Sequence, residues 1–372
     1  MRSWAASKDL LMEYLLIFIP AGMIFLLYLM IISHFSPELG MSTVAHGASY
    51  FDGLLSQNYV NVLSIMLQAI LLMSPLFIGL FMLSLFDRKA LDGAGFLVII
   101  IAVFVIFYTF FIGASFRAFE RFWSPMMPML AIVCARVIMN LRINKNEAIK
   151  IVVLTVLAYA LLLVMQLFPG ELLPLYPKEA YIWRVFSLQW GFYVPFHSST
   201  AFGFLVKFST MMAGFIVAAV TLSVYLVLRK SNGAIARFML LIFIAIGVAY
   251  NFILIQEYLA SPTSPDINDA AWQLSDYAQS LEAGRPLASY TFFGKYLLKD
   301  RDIVFFGYAF ADDPKTNSFL AETNRILLIM DYPVIPKDSQ FWKTIQSCEL
   351  EKTFYDKGYP LGYVYDCSKR IN

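Results

Sequence analysis

Seven runs of apolar residues, each about as long as a bilayer is thick, constrain this chain more than any other feature. They lie at 11–32, 62–86, 95–113, 122–140, 149–168, 207–228 and 237–256. A helix needs roughly 20 apolar residues to cross the hydrocarbon core, because each residue advances it by only about 1.5 Å. Lipid offers backbone N–H and C=O groups no partners, so spanning segments of this kind must be helical. With 59% hydrophobic and 15% charged residues, a water-soluble globular fold is excluded. The expected architecture is a polytopic α-helical membrane protein of about seven transmembrane helices.

The basic residues are sorted by side. Arg2, Lys8, Arg88, Lys89, Arg136, Arg142, Lys145, Lys150, Arg229, Lys230 and Arg237 fall in or beside one set of alternate loops. The other set holds Arg117, Arg121, Lys178, Arg184 and, at a span edge, Lys207. The positive-inside rule then puts the N-terminus in the cytoplasm and the C-terminal part outside. Arg2 and Lys8 precede a full-length span rather than a short leader core, so no cleaved signal is expected. The chain contains no Asn-x-Ser/Thr sequon, which favours a prokaryotic cytoplasmic membrane. A net charge of +2 gives no case for nucleic acid.

Composition changes abruptly near residue 257, dividing the chain into a helical membrane domain, 1–257, and an extracytoplasmic α/β domain, 258–372. Ser261-Pro-Thr-Ser-Pro265 breaks the helix, and 266–283 has the periodicity of an amphipathic helix. Short apolar runs at 287–293, 303–307 and 326–330 alternate with a helical pattern at 339–347, as in a small α/β domain. Cys348 and Cys367 both fall in this outer part, where a disulfide can persist; a bridge and two free thiols are both open. Cys134, inside a span, reads as a packing residue. No Gly-rich phosphate loop, nucleophile elbow or His/Cys metal spacing is present, and no cofactor is evident.

The chemistry-bearing stretch is Arg117-Ala-Phe-Glu120-Arg121-Phe-Trp-Ser-Pro125-Met-Met-Pro128, at the lip of an apolar run. Charges there would be costly if buried in lipid. Two prolines open the next helix, where the first-turn N–H groups have no intrahelical partner to lose. Fixed cations beside a rigid helix start suit an anionic headgroup or a lipid-linked phosphate. Ordinary interfacial anchoring by Arg and Trp is the plainer reading.

Arg121-Phe-x-x-Pro-x-x-Pro-x-Leu resembles the Arg-Tyr/Phe…Pro…Pro element of GT-C integral membrane glycosyltransferases, the branch with protein O-mannosyltransferases and aminoarabinose transferases. Tyr50-Phe51-Asp52, an apolar run and Ser74-Pro75-Leu-Phe-Ile-Gly resemble another region of that family. The resemblance is to its C-terminal half. It implies a polyprenyl-phosphate-linked sugar as donor substrate, with Arg117, Glu120 and Arg121 at its phosphate. The family's catalytic carboxylate lies in a first outer loop, commonly as an acidic pair. No such pair stands in the first outer loop here, and Asp52 is its nearest acidic candidate. Capping or solvation also explains Asp52. The carboxylate would then come from elsewhere, including a second chain carrying the N-terminal half.

The loop at 169–206 interleaves Trp, Tyr and Phe with Pro and carries Arg184 and His197, further candidates for substrate contact. Its composition suggests an interfacial, partly re-entrant segment, either a lid over a lipid-sugar headgroup or a loop packed on neighbouring helices. A lone His such as His197 is more often scaffold than catalyst. Two functions therefore stand open. One is part of a membrane glycosyltransferase; the other is a non-enzymatic membrane scaffold whose outer domain docks a partner. Membrane lipids are partners in either case.

Overall fold

The computed structural model describes residues 59–86, 95–107, 126–173, 179–198, 201–281, 287–289, 303–305, 323–329 and 340–368, together with Met23. The chain is mostly helical, with a hairpin and a five-stranded sheet. Helices α1 (Tyr59–Phe86), α2 (Gly95–Phe107), α3 (Met126–Asn140) and α4 (Lys145–Leu167) come first. The short α5 (Glu179–Phe186) and the strands β1 (Tyr193–Ser198) and β2 (Ala201–Lys207) follow, then α6 (Phe208–Leu228) and α7 (Gly233–Ala260). Three of these helices, α4, α6 and α7, are long and apolar enough to cross a membrane. The expected run at 11–32 lies outside the described residues apart from Met23. Those at 95–113 and 122–140 are described only as the shorter α2 and α3.

Residue pairs fix the helix directions. Glu147 accepts from Arg237 at 2.7 Å and Tyr159 donates to Gln256, so α4 and α7 run parallel. Tyr250 meets Leu71, while Gly247 faces Leu76 and Gly79 faces Phe243, so α1 runs antiparallel to α7. Arg142, just past α3, accepts from Arg237, while Cys134 lies against Phe77 further along the bundle. Helix α3 therefore runs opposite to α7, and Met126 stands towards the end where α4 and α7 finish. The four residues Leu141–Asn144 turn α3 into α4, with Asn144 and Glu147 forming a capping box. Helix α7 is the central element. In its most apolar stretch 61% of residues are buried within the chain, against 6% for α4, whose Val156, Leu157 and Leu161 face outwards.

Helix α1 breaks at Ser74, which has φ 70°, immediately before Pro75. Proline has no N–H, so the carbonyl four residues back, on Leu71, loses its helical partner. The buried Tyr250 hydroxyl donates to that carbonyl at 2.6 Å, and Ser74 Oγ accepts from the N–H of Leu76. Side chains thus partner both of these backbone groups at the break. Tyr250→Phe is expected to destabilise by about 1–3 kcal/mol, because it leaves a buried acceptor unpaired. Thermal unfolding in detergent measures it, and an unchanged midpoint would contradict this pairing.

Within the segment expected to be interfacial and partly re-entrant, the described strands form an ordered layer. Strands β1 and β2 form an antiparallel hairpin whose side chains alternate between two cores. Phe192, Val194, Phe196, Val206 and Phe208 pack with Leu71, Leu162, Met211 and Tyr250 of the helices. Tyr193 and Leu205 face the other way, onto α8 (Ile267–Ser280) and the sheet. The described part of this loop packs on neighbouring elements.

Beyond α8 come β3 (Leu287–Ser289), β4 (Ile303–Phe305), β5 (Arg325–Ile329), α9 (Gln340–Gln346), β6 (Glu349–Asp356) and β7 (Tyr359–Asp366). The sheet order is β4-β3-β5-β7-β6, parallel among the first three strands and antiparallel through β7 and β6. Helix α8 covers one face through Ala270, Ala271, Leu274 and Ala278. The opposite face packs Ile326 and Leu328 on Ile345 of α9 beside Cys348 and Cys367, which are bridged.

Candidate functional site

Helix α7 ends in a left-handed residue, Ser261, and its one acidic residue, Glu257, sits in the last turn with no exposed surface. A buried carboxyl is tolerable only if its lone pairs are filled. Here Oε1 accepts from Thr263 Oγ1 at 2.5 Å and Gln256 Nε2 at 3.3 Å. Oε2 accepts from the Ser264 N–H at 3.1 Å and the Ser264 hydroxyl at 2.5 Å. Gln256 Oε1 in turn accepts from Tyr159 on α4. A polar chain thus runs from the middle of α4 through Gln256 to the turn that follows α7.

The sheet is tied to the same turn. Strands β6 and β7 join through Lys357 (φ 49°) and Gly358 (φ 83°), the two left-handed positions that a tight hairpin turn of the right twist requires. Glycine adopts that conformation freely, whereas Lys357 bears a Cβ penalty. Its amine donates to the carbonyls of Ser261 at 2.5 Å and Ser264 at 2.6 Å. Next to it, Asp356 accepts from the N–H of Asp266, the N-cap of α8, at 2.6 Å. Tyr359 donates to the Gly170 carbonyl at 2.7 Å and accepts from the Gly170 N–H at 3.1 Å, just past α4. Tyr193 stands edge-on to the Tyr359 ring at 5.7 Å. Burial, then the hydrogen bond with Tyr359, pushes its phenol well above the ordinary range.

Lys207 closes the other side of this junction. It is 4% exposed, and its amine donates to the carbonyls of Phe168 at 2.8 Å and Met165 at 3.3 Å, the unpaired end of α4. Its backbone N–H donates to Gln166 Oε1 at 3.2 Å, while Gln166 Nε2 has no hydrogen-bond partner among the described residues.

The candidates from the sequence divide as follows. Asp52, Arg117, Glu120 and Arg121 lie outside the described residues. Arg184 donates to Glu171 at 2.7 Å and Gln189 at 2.8 Å, so its guanidinium is engaged in holding α5 beside the end of α4. His197 lies in β1 at the irregularity between Phe196 and Ser198. Arg184 and His197 thus both belong to the segment between α4 and α6. Cys348 and Cys367 sit in the sheet unit, 4.5 Å apart between Cα atoms.

Glu171, Glu147 and Glu351 each pair with an arginine, Arg184, Arg237 and Arg325 respectively. For Glu351, burial raises the carboxyl, but hydrogen bonds from Arg325 and Tyr277 outweigh it and hold it below the ordinary range. Among the described residues no group of three or more His, Cys, Asp or Glu could hold a metal ion. Sequence reasoning missed Glu257 and Lys357. The signal for Glu257 was there, as the single acidic residue of a long apolar run standing just ahead of Ser-Pro-Thr-Ser-Pro. Lys357 had only the Lys-Gly pair between two short strand-like runs. No family model matches the chain, no curated protein matches it, and no solved structure matches it.

Proposed function

We propose that this chain is part of a GT-C-like membrane glycosyltransferase using a polyprenyl-phosphate-linked sugar. It would contribute the lipid-phosphate site and an outer domain, with the catalytic carboxylate supplied by another segment or chain. The observation that carries this reading is the direction of α3. Met126 stands towards the bundle end that bears the hairpin and the sheet, and Arg121 precedes it by only five residues. A lipid-phosphate site carried by the Arg-Glu-Arg element, which precedes α3 in the sequence, would on this reading belong to the same end. Basic residues Arg142, Lys145, Lys150, Arg229 and Lys230 gather at the opposite end, which the positive-inside rule assigns to the cytoplasm. With seven spans in a prokaryotic cytoplasmic membrane, the arginines would face the side where lipid-linked donors present their phosphates.

In such a transfer a carboxylate takes the proton from the acceptor hydroxyl as its oxygen attacks the anomeric carbon. The bond from that carbon to the phosphate oxygen breaks, and the polyprenyl phosphate leaves with the electron pair. Arg117 and Arg121 would stabilise the departing phosphate by charge-assisted, bidentate hydrogen bonds. Glu120 would orient them. Arg121→Ala and Arg117→Ala are expected to weaken binding of a polyprenyl-phosphate analogue roughly ten- to a hundredfold, as loss of a charged contact of about 1.5–3 kcal/mol implies. Expression and membrane insertion should be unchanged. Equal binding by parent and variants, or none by the parent, rejects this reading.

A second reading, a non-enzymatic scaffold that presents the sheet unit to a partner, is favoured by the latch of Lys357 on Ser261 and Ser264. That latch mounts the sheet directly on α7. The same binding experiment separates the two, since a scaffold has no need of the phosphate.

A further inference from the structure

We infer that α5 and the adjoining ends of α4 and α7 form a seat lying in the headgroup boundary of a lipid bilayer. The inference rests on the membrane-spanning reading of α4 and α7 and extends it to a helix too short to span. Helix α5 has two apolar sides. Tyr181 and Val185, four residues apart, turn inwards; Tyr181 is buried, and its hydroxyl donates to the Leu173 carbonyl at 3.3 Å. Trp183 and Phe186, three residues apart, are 71% and 72% exposed, and Leu188 just beyond is 74% exposed. Arg184 is drawn back onto Glu171 and Gln189 and does not give the outer side a free charge. A helix apolar on both sides needs a second covering, and among the described residues the outer side has none.

The covering is identified by what continues from it. Glu171, which holds Arg184, follows α4 by a few residues, and α4 ends in the exposed Leu167 and Phe168. The parallel α7 ends beside it in the exposed Tyr258 and Leu259, with Tyr258 edge-on to Phe204 of the hairpin. Below this rim the outward side of α4 stays apolar through Val164, Leu161 and Leu157. A Trp, Tyr, Phe and Leu rim at the ends of apolar helices is the composition of a membrane–water boundary. An apolar face continuous with a lipid-facing one is covered by the same lipid. Helix α5 therefore lies along the interface and sets the depth at which the hairpin and sheet are held.

The full chain in phosphatidylcholine nanodiscs, carrying a tracer lipid with a diazirine either near the headgroup or near the acyl end, tests this by mapping crosslinked residues. Headgroup-proximal diazirine should label Trp183, Phe186 and Leu188 at least tenfold above Trp272, an exposed residue on α8. Acyl-end diazirine should label Leu157 and Leu161 instead. If α4 is labelled while α5 stays at the Trp272 level, the seat is wrong and the spanning reading stands. Crosslinks from α5 to a second protein copy in place of lipid would equally overturn the seat. If lipid labels neither helix, the spanning reading falls, and the seat with it.

Discussion

Glu257→Leu should cost this protein about 3–5 kcal/mol of stability, because it strands several buried donors at about 1–3 kcal/mol each. The buried Ser264 N–H is fixed by the backbone and has no freedom to find another acceptor, while the half-buried Gln256 amide and the Thr263 and Ser264 hydroxyls can rotate and recover part of the loss. Leucine is the better residue for an apolar helix, but that gain does not decide the sign. Replacing one partner of a buried network leaves the other side polar, and the unpaired donors outweigh the added methyl groups. Glu257→Gln keeps one acceptor oxygen but points an amide at donors, so its loss should be smaller, about 1–3 kcal/mol. Thermal unfolding in detergent gives the order parent, Gln, Leu. Limited proteolysis should open first between residues 261 and 266, since Lys357 holds the sheet through the carbonyls of that turn. A leucine variant with the parent's midpoint and digestion pattern would show that this carboxyl organises nothing.

Period and polarity explain which parts of the fold were legible. Helix α8 was fully readable: Ile267, Ala270, Ala271, Leu274 and Ala278 recur at helical spacing, and all are buried. Strands β3, β4 and β5 fall on the short apolar runs read at 287–293, 303–307 and 326–330. Strand β6 was missed. It is an edge strand whose Glu349, Glu351, Lys352 and Thr353 face outwards, with Phe354 its one buried side chain, so it carries almost no alternation. The hairpin was missed for the opposite reason. Both of its faces are covered, one by the helices and one by α8, so between Tyr193 and Phe196 and between Ala201 and Val206 it is apolar without alternation, and a proline stands inside the first strand. The aromatic content of the whole segment was read as a membrane boundary, and α5, which lies within it, carries the exposed aromatic residues Trp183 and Phe186. At the junction, Glu257 fell one residue beyond the span drawn at Gln256. Nothing local in Lys357 says that its amine ends on carbonyls nearly a hundred residues away. Such contacts are long-range, and no period of 2 or 3.6 encodes them.

Gly247→Leu should destabilise by about 3 kcal/mol, the upper part of the range for overfilling a packed contact. A Cβ at this position would sit 2.5 Å from Leu76 Cβ and 3.0 Å from Leu76 Cα. The second of these is backbone, so no rotamer change relieves the overlap and α1 must back away from α7. Leu76 follows the Ser74–Pro75 break directly, and the Tyr250 bond to the Leu71 carbonyl spans the same crossing. Separating the helices therefore also weakens the partner of the carbonyl that Pro75 leaves free. Gly247→Ala is the sharper test of sign. Alanine favours the helix by about 1 kcal/mol over glycine, but the overlap opposes it by about 1–3 kcal/mol, leaving a net loss. Gly233, at the start of α7 with nothing within 4 Å of its would-be Cβ, lacks the opposing term, so Gly233→Ala should be neutral or slightly stabilising. The double variant Gly247→Ala/Tyr250→Phe should lose less than the sum of its parts, because both changes act through one approach of α1 to α7. Thermal midpoints of these four variants and of Tyr250→Phe in one detergent decide it. Gly247→Leu unfolding with the parent, or strict additivity in the double variant, would mean that α1 does not cross α7 at this glycine.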